Sequence, residues 1–166
     1  MYFTSRYASP FGEILLAGEK EALTGLWFEG QKYFGAGLGP EYEEGTLPVL
    51  EEAKRWLDLY FQGRDPGFTP KLLFRTTPFR EAVWNELLKI PYGQTVTYGE
   101  IAERAAGGKS RSRLLSRAVG NAVGHNPVSL IVPCHRVVGA DGGLTGYAGG
   151  IRIKEALLML ERGNHY

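Results

Sequence analysis

The chain has 166 residues, 43% of them hydrophobic and 12% aromatic, which is enough for one packed domain or two small ones. Its single cysteine excludes an internal disulfide and a Cys-rich zinc site, and no apolar run is long enough to span a bilayer. The net charge of +1 hides an asymmetry: residues 1–77 carry 8 Lys+Arg against 11 Asp+Glu, and residues 78–166 carry 11 against 7.

Residues 2–29 read as three short strands. Tyr2–Tyr7 is aromatic-rich and ends at the turn Ser9-Pro10-Phe11-Gly12. Glu13–Gly18 and Leu23–Phe28 follow, separated by Glu19-Lys20-Glu21, and the short connections favour an antiparallel meander. Residues 30–48, rich in Gly and Glu, read as an irregular loop. From Val49 to Gln62 a helix is predicted: Leu50, Ala53, Trp56, Leu57, Tyr60 and Phe61 share one face, and Gly63 is the stop. Residues 64–77 contain Pro66 and Pro70 and read as a linker, so the boundary between a supporting domain (1–77) and a second domain (78–166) is placed at Thr77.

Phe79–Ile90 is a second amphipathic helix, with Phe79, Val83, Leu87 and Ile90 inward, closed by Pro91-Tyr92-Gly93. Thr97-x-x-Glu100 fits a capping box that puts Tyr98 in the first turn of the next helix. Gly107-Gly108 breaks that helix, and a further helix is expected from Arg113 to Val123 after a long turn. The pair suggests a helix-turn-helix. Five cations (Arg104, Lys109, Arg111, Arg113, Arg117) and no acid lie between 104 and 117, a charge pattern suited to phosphate contacts. Val128–Val132 reads as a buried strand. Arg152–Arg162 is the last helix, with Ile153, Ala156, Leu157 and Leu160 inward. It brings Glu161 close to the buried face, where a carboxylate needs a partner.

The lone cysteine stands in Ile131-Val132-Pro133-Cys134-His135-Arg136-Val137-Val138. A thiol is nucleophilic only as thiolate, and His135 and Arg136 are candidates for the base or positive charge it needs. Neighbouring side chains of an extended chain point apart, so a Cys134–His135 link needs a turn, which Pro133 favours, or a bridging water.

The Pro-Cys-His-Arg-Val run lies between Arg117-Ala118-Val119-Gly120 upstream and Gly146-Tyr147-Ala148-Gly149-Gly150 with Leu157–Glu161 downstream. In order and spacing these motifs resemble the O6-alkylguanine-DNA alkyltransferase family (methylated-DNA–protein-cysteine methyltransferases), strongly over 79–161 and more weakly before.

The resemblance implies an α+β fold: a small N-terminal antiparallel-sheet domain with a helix, then a mainly helical, winged-helix-like domain containing the helix-turn-helix. It implies irreversible single-turnover transfer of the alkyl group of O6-alkylguanine, with O4-alkylthymine a further candidate, from double-stranded DNA to Cys134. No cofactor, no metal and no membrane are expected, and the protein is expected to be a cytoplasmic monomer. Some family members carry a zinc site in the first part, but here all His and Cys lie at or beyond position 125.

Roles carried over by the resemblance are specific. Cys134, His135 and Glu161 act as nucleophile, base and orienting acid. The second motif helix enters the minor groove, with Ser116 and Gly120 among its contacts, and Arg117 fills the space of the extruded base. Tyr98 hydrogen-bonds guanine N3, and the Cys134 and Val137 carbonyls accept from its exocyclic amine. Tyr147 and the Ala148 N–H wall the pocket, where the family often has Ser in place of Ala148. Asn126 fixes the turn into the active segment. Two rival readings share these features: a helix-turn-helix or lesion-binding protein that binds DNA without alkyl transfer, and a thiol hydrolase that turns over repeatedly.

Overall fold

The structure, a computed structural model, describes residues 1–38, 41–106, 109–144 and 146–163, without the side chains of 106 and 109–116. The first half is a sheet with one helix: β1 (Tyr2–Ser9), β2 (Gly12–Glu19), β3 (Ala22–Phe28), β4 (Tyr42–Glu44) and α1 (Pro48–Phe61). β1, β2 and β3 form the expected meander. The loop at 30–48 departs from its reading, because Tyr42–Glu44 adds to the far edge of β1 in parallel. The sheet is therefore mixed, in the order β3-β2-β1-β4. A three-residue exposed edge strand carries no alternating pattern from which it is readable.

The second half is α2 (Pro78–Leu88), β5 (Val96–Thr97), α3 (Tyr98–Ala106), α4 (Lys109–Gly124), a 3-10 turn (Cys134–Arg136), β6 (Val137–Val138) and α5 (Ile151–Glu161). The capping box forms in both directions: Glu100 N–H donates to Thr97 Oγ1 at 3.1 Å, and Thr97 N–H donates to Glu100 Oε2 at 3.2 Å. α4 begins at Lys109, four residues before the sequence reading placed it, so the long turn is mostly helix. Its Lys, Arg and Ser residues give this first stretch little apolar periodicity, and the breaker Gly107-Gly108 lies outside the described residues.

Val128–Val132 is buried as expected, but it is a run of turns rather than a strand. Only Val128 makes a bridge, to Leu26, and Leu130 has φ +70°. Pro127 and Pro133 each remove a backbone donor, and the segment's polar groups are met locally instead: Val132 N–H donates to Val128 O, and Ile131 N–H to Ser129 O. One core runs through the whole molecule. Leu26 and Phe28 of the sheet, Trp56 and Tyr60 of α1, Trp84 and Leu87 of α2, Ile131, Cys134 and Leu157 all belong to it. Trp84 Nε1 donates to Ala122 O at 2.7 Å, tying α2 to α4.

Candidate active site

After Pro133, Cys134–Arg136 turn as one 3-10 unit closed by the Val137 N–H on Cys134 O. The turn presents His135 to Glu161 at the end of α5. His135 Nε2 lies 2.5 Å from Glu161 Oε2, and neither side chain reaches solvent. His135 Nδ1 is buried without a hydrogen bond. Cys134, 5% exposed, begins the same turn. Of the three side chains the sequence reading grouped, His135 and Glu161 are in contact, and Cys134 precedes His135 in the same turn.

Arg136 is not a partner of the thiol. Its Nε donates to Glu161 Oε1 at 2.7 Å, and its Nη1 donates to Ile90 O at 2.8 Å. Glu161 Oε1 also accepts from Gly93 N–H at 3.0 Å. Gly93 has φ +80°, and a Cβ there would stand 3.3 Å from Glu161 O, so the turn needs glycine for its conformation and for this close approach. Burial alone would raise the Glu161 carboxyl. The hydrogen bonds and charges of His135 and Arg136 outweigh it and hold the group down to about 2.

Burial lowers His135 below the ordinary imidazole value, against the pull of Glu161, and so favours a neutral ring. Burial raises the Cys134 thiol, while the Asn126 side chain and the Lys154 charge oppose the rise. Asn126 is buried and braces the turn segment: its Nδ2 donates to Val132 O at 2.8 Å, and its Oδ1 accepts from Val128 N–H at 2.9 Å.

Lys154 was not singled out from the sequence. It is wholly buried in α5, donates from Nζ to Val137 O at 2.5 Å, and lies 5.8 Å from the Tyr98 ring centroid. Lys154 and Glu161 are seven residues apart, on one helical stripe with Leu157 and Leu158, so both face inward. The Val137 and Cys134 carbonyls each already accept one bond, from Lys154 and from Val137 N–H, and each keeps a second lone pair.

Tyr98, Gly120, Gly146, Tyr147 and Ala148 line one cavity of about 330 Å³, together with Lys32 and Tyr33 from the first half. Tyr98 Oη donates to Gly146 O at 3.3 Å. Tyr147 joins cavity and thiol: its ring centroid is 6.4 Å from that of His135, and its buried hydroxyl lies in the field of Cys134. Tyr33 stacks on His125 at 4.0 Å, and Lys32 N–H donates to Ala148 O at 3.1 Å; neither residue was expected here.

On α4, Val119 and Ala122 face the core, whereas Arg117 and Ala118 are exposed. Nothing lies within 4 Å of a Cβ built on Gly120, so helix packing does not require a glycine there. The Ser116 side chain lies outside the described residues. Among the described residues no group of three or more His, Cys, Asp and Glu is placed to hold a metal, and no helix is long and apolar enough to cross a membrane.

Residues 78–163 match the family described as 6-O-methylguanine DNA methyltransferase, DNA binding domain, and residues 1–74 match its ribonuclease-like domain. A methylated-DNA–protein-cysteine methyltransferase of Methanosarcina acetivorans is 46% identical over 97% of this chain and 98% of its own length. One of Haemophilus influenzae is 39% identical over 98% of this chain and 87% of its own. The crystal structure of Mycobacterium tuberculosis OGT in complex with DNA superposes with a TM-score of 0.81 at 41% identity, covering 99% of this chain and 94% of that one. Matched along nearly its whole length by sequence and by fold, the chain belongs to the methylated-DNA–protein-cysteine methyltransferase family.

Proposed function

We propose that the protein repairs DNA by direct reversal, moving the alkyl group of O6-alkylguanine to Cys134 once per molecule. The observation that carries this reading is the Cys134–His135–Glu161 arrangement. Glu161 accepts the Nε2 proton of His135, which leaves Nδ1 as the ring atom able to take the thiol proton, directly or through one water.

The damaged nucleotide must leave the stack, at a cost of a few kcal/mol that is smaller for a poorly paired lesion. Arg117, exposed on the outer face of α4, fills the gap, and Gly120 lets the helix approach the minor groove. The base enters the cavity lined by Tyr98, Tyr147 and Ala148. Tyr98 releases Gly146 O and hydrogen-bonds guanine N3, while the second lone pairs of the Cys134 and Val137 carbonyls receive the exocyclic amine. The thiol proton passes to His135. A sulfur lone pair then forms the S–C bond, the C–O6 bond breaks, and its electron pair returns to the purine, which the Tyr98 hydrogen bond stabilises as leaving group. Lys154 supplies positive charge near the thiolate.

The product thioether is not cleaved by water, so no second cycle follows. The first 77 residues act as the supporting domain, and residues 78–166 bind DNA and accept the alkyl group. A reduced free thiol is the reactive form, so we place the protein in the cytoplasm. The test is a duplex carrying O6-methylguanine incubated with the protein, followed by mass measurement of the Cys134 peptide. One added methyl per chain, with guanine restored, is expected; repeated turnover with an unmodified thiol overturns the reading.

A further inference from the structure

The groups given roles in this reaction come from the second half of the chain, yet Glu161 is completed by a residue from the first. Tyr60 stands in the last turn of α1, which Gly63 closes by donating its N–H to Tyr60 O at φ +78°. Its side chain is wholly buried, and its Oη lies 2.7 Å from Glu161 Oε2 and 3.4 Å from His135 Nε2. A carboxylate only accepts, so the hydroxyl donates. Each Glu161 oxygen then holds two donors: Arg136 Nε and Gly93 N–H on Oε1, His135 Nε2 and Tyr60 Oη on Oε2.

Packing alone does not ask for this hydroxyl. The Tyr60 ring stacks on Trp56 at 5.1 Å and meets Phe61, Tyr92 and His135 edge-on, contacts that a phenylalanine makes equally well. A hydroxyl buried in such an aromatic cluster is costly unless it is hydrogen-bonded, and here its bond goes to Glu161. Burial beside that carboxylate pushes the phenol well above its ordinary value, so it stays a donor throughout the working pH range.

We propose that Tyr60 is a positioning residue of the reaction, its hydroxyl setting Glu161 against His135 so that the first half of the chain holds part of the reacting network. The proposal rests on the function given above. Two donors on Oε2 fix the carboxylate's rotation, which keeps the proton on Nε2 and the Nδ1 lone pair free. The hydroxyl also draws charge from Oε2. Without it the carboxylate binds the imidazolium more tightly.

The test is Tyr60→Phe, assayed by single-turnover transfer from an O6-methylguanine duplex across pH. The expected result is a rate about tenfold lower at neutral pH, unchanged duplex affinity, and a pH midpoint displaced to higher values, because the neutral ring then forms only at higher pH. Trp56→Phe, which loosens the same packing and leaves the hydroxyl, is expected to lower the melting temperature without moving that midpoint. A Y60F protein with the wild-type rate and midpoint overturns the proposal. So does a rate loss with no movement of the midpoint, or a chain that does not fold. If the wild-type protein itself leaves the methyl group on DNA, the functional reading fails; if it transfers and Y60F matches it, only the role of Tyr60 fails.

Discussion

His135 Nε2 and Glu161 Oε2 meet at 2.5 Å with no solvent access to either side chain. The carboxyl falls from 4.5 to about 2 on folding, so the unfolded chain binds its proton first as pH drops. The stabilisation from this group is therefore complete above about pH 4.5 and is lost as pH falls toward 2. Its size is on the order of 3 kcal/mol. His135 has the same sign higher up: its pKa is lowered by burial, so stability begins to decline once pH falls below the ordinary imidazole value of 6.5. Urea unfolding from pH 2 to 8 is expected to show both slopes. Glu161→Gln is expected to be less stable at pH 7 and to lack the slope below pH 4.5.

Asn126 braces the turns at 127–133 with two buried hydrogen bonds, and its side chain opposes the rise that burial imposes on the Cys134 thiol. Asn126→Ala leaves the Val128 N–H unpaired in the core and the Val132 carbonyl with only its bond from Cys134 N–H, which destabilises by roughly 1–3 kcal/mol. It also removes an interaction that favours the thiolate. Transfer is therefore expected to slow most at neutral pH and to recover partly as pH rises and the thiol ionises without help. A uniform loss at every pH would assign Asn126 to folding alone.

Legibility followed periodicity. α1, α2 and α5 showed in their apolar stripes, and α3 in its Thr97–Glu100 box, because local sequence decides where such helices begin and which face is buried. The apolar run 128–132 misled: burial was correct but the strand was not, since two prolines and a left-handed Leu130 break the extended conformation that its β-branched residues favour. The meeting of His135 with Glu161, beside Cys134, was legible from the motifs and the resemblance they carry. Tyr60 and Lys154 were not, because a tyrosine on an apolar stripe reads as core and a lysine beside it reads as surface; only tertiary contact shows what their polar ends meet. Lys32 and Tyr33 were missed for a related reason, as they lie in a loop without periodicity.

Arg117 is exposed on the outer face of α4, beside Ala118 and one turn before Gly120 and Asn121 of the cavity lip. Its proposed work is done only when a base is taken out of a duplex. Arg117→Ala is expected to slow transfer from duplex DNA by about ten- to a hundredfold, in line with a few kcal/mol for extrusion. Transfer from the free base O6-benzylguanine is expected to be nearly unchanged. Equal losses on both substrates would show that Arg117 supports the chemistry rather than the extrusion.

The alkylated protein is the last case. Cys134 is 5% exposed and lies in the core cluster with Val132 and Leu157, so an added methyl overfills a packed site. Overpacking of this kind costs about 1–3 kcal/mol, which for a chain of this length lowers the melting temperature by roughly 3–10 °C. Protein recovered free of DNA after reaction is expected to melt earlier by that amount. Cys134→Ser, carried through the same incubation, is expected to melt identically before and after. Coincident melting curves for native and methylated protein would mean that the site relaxes around the new carbon without strain.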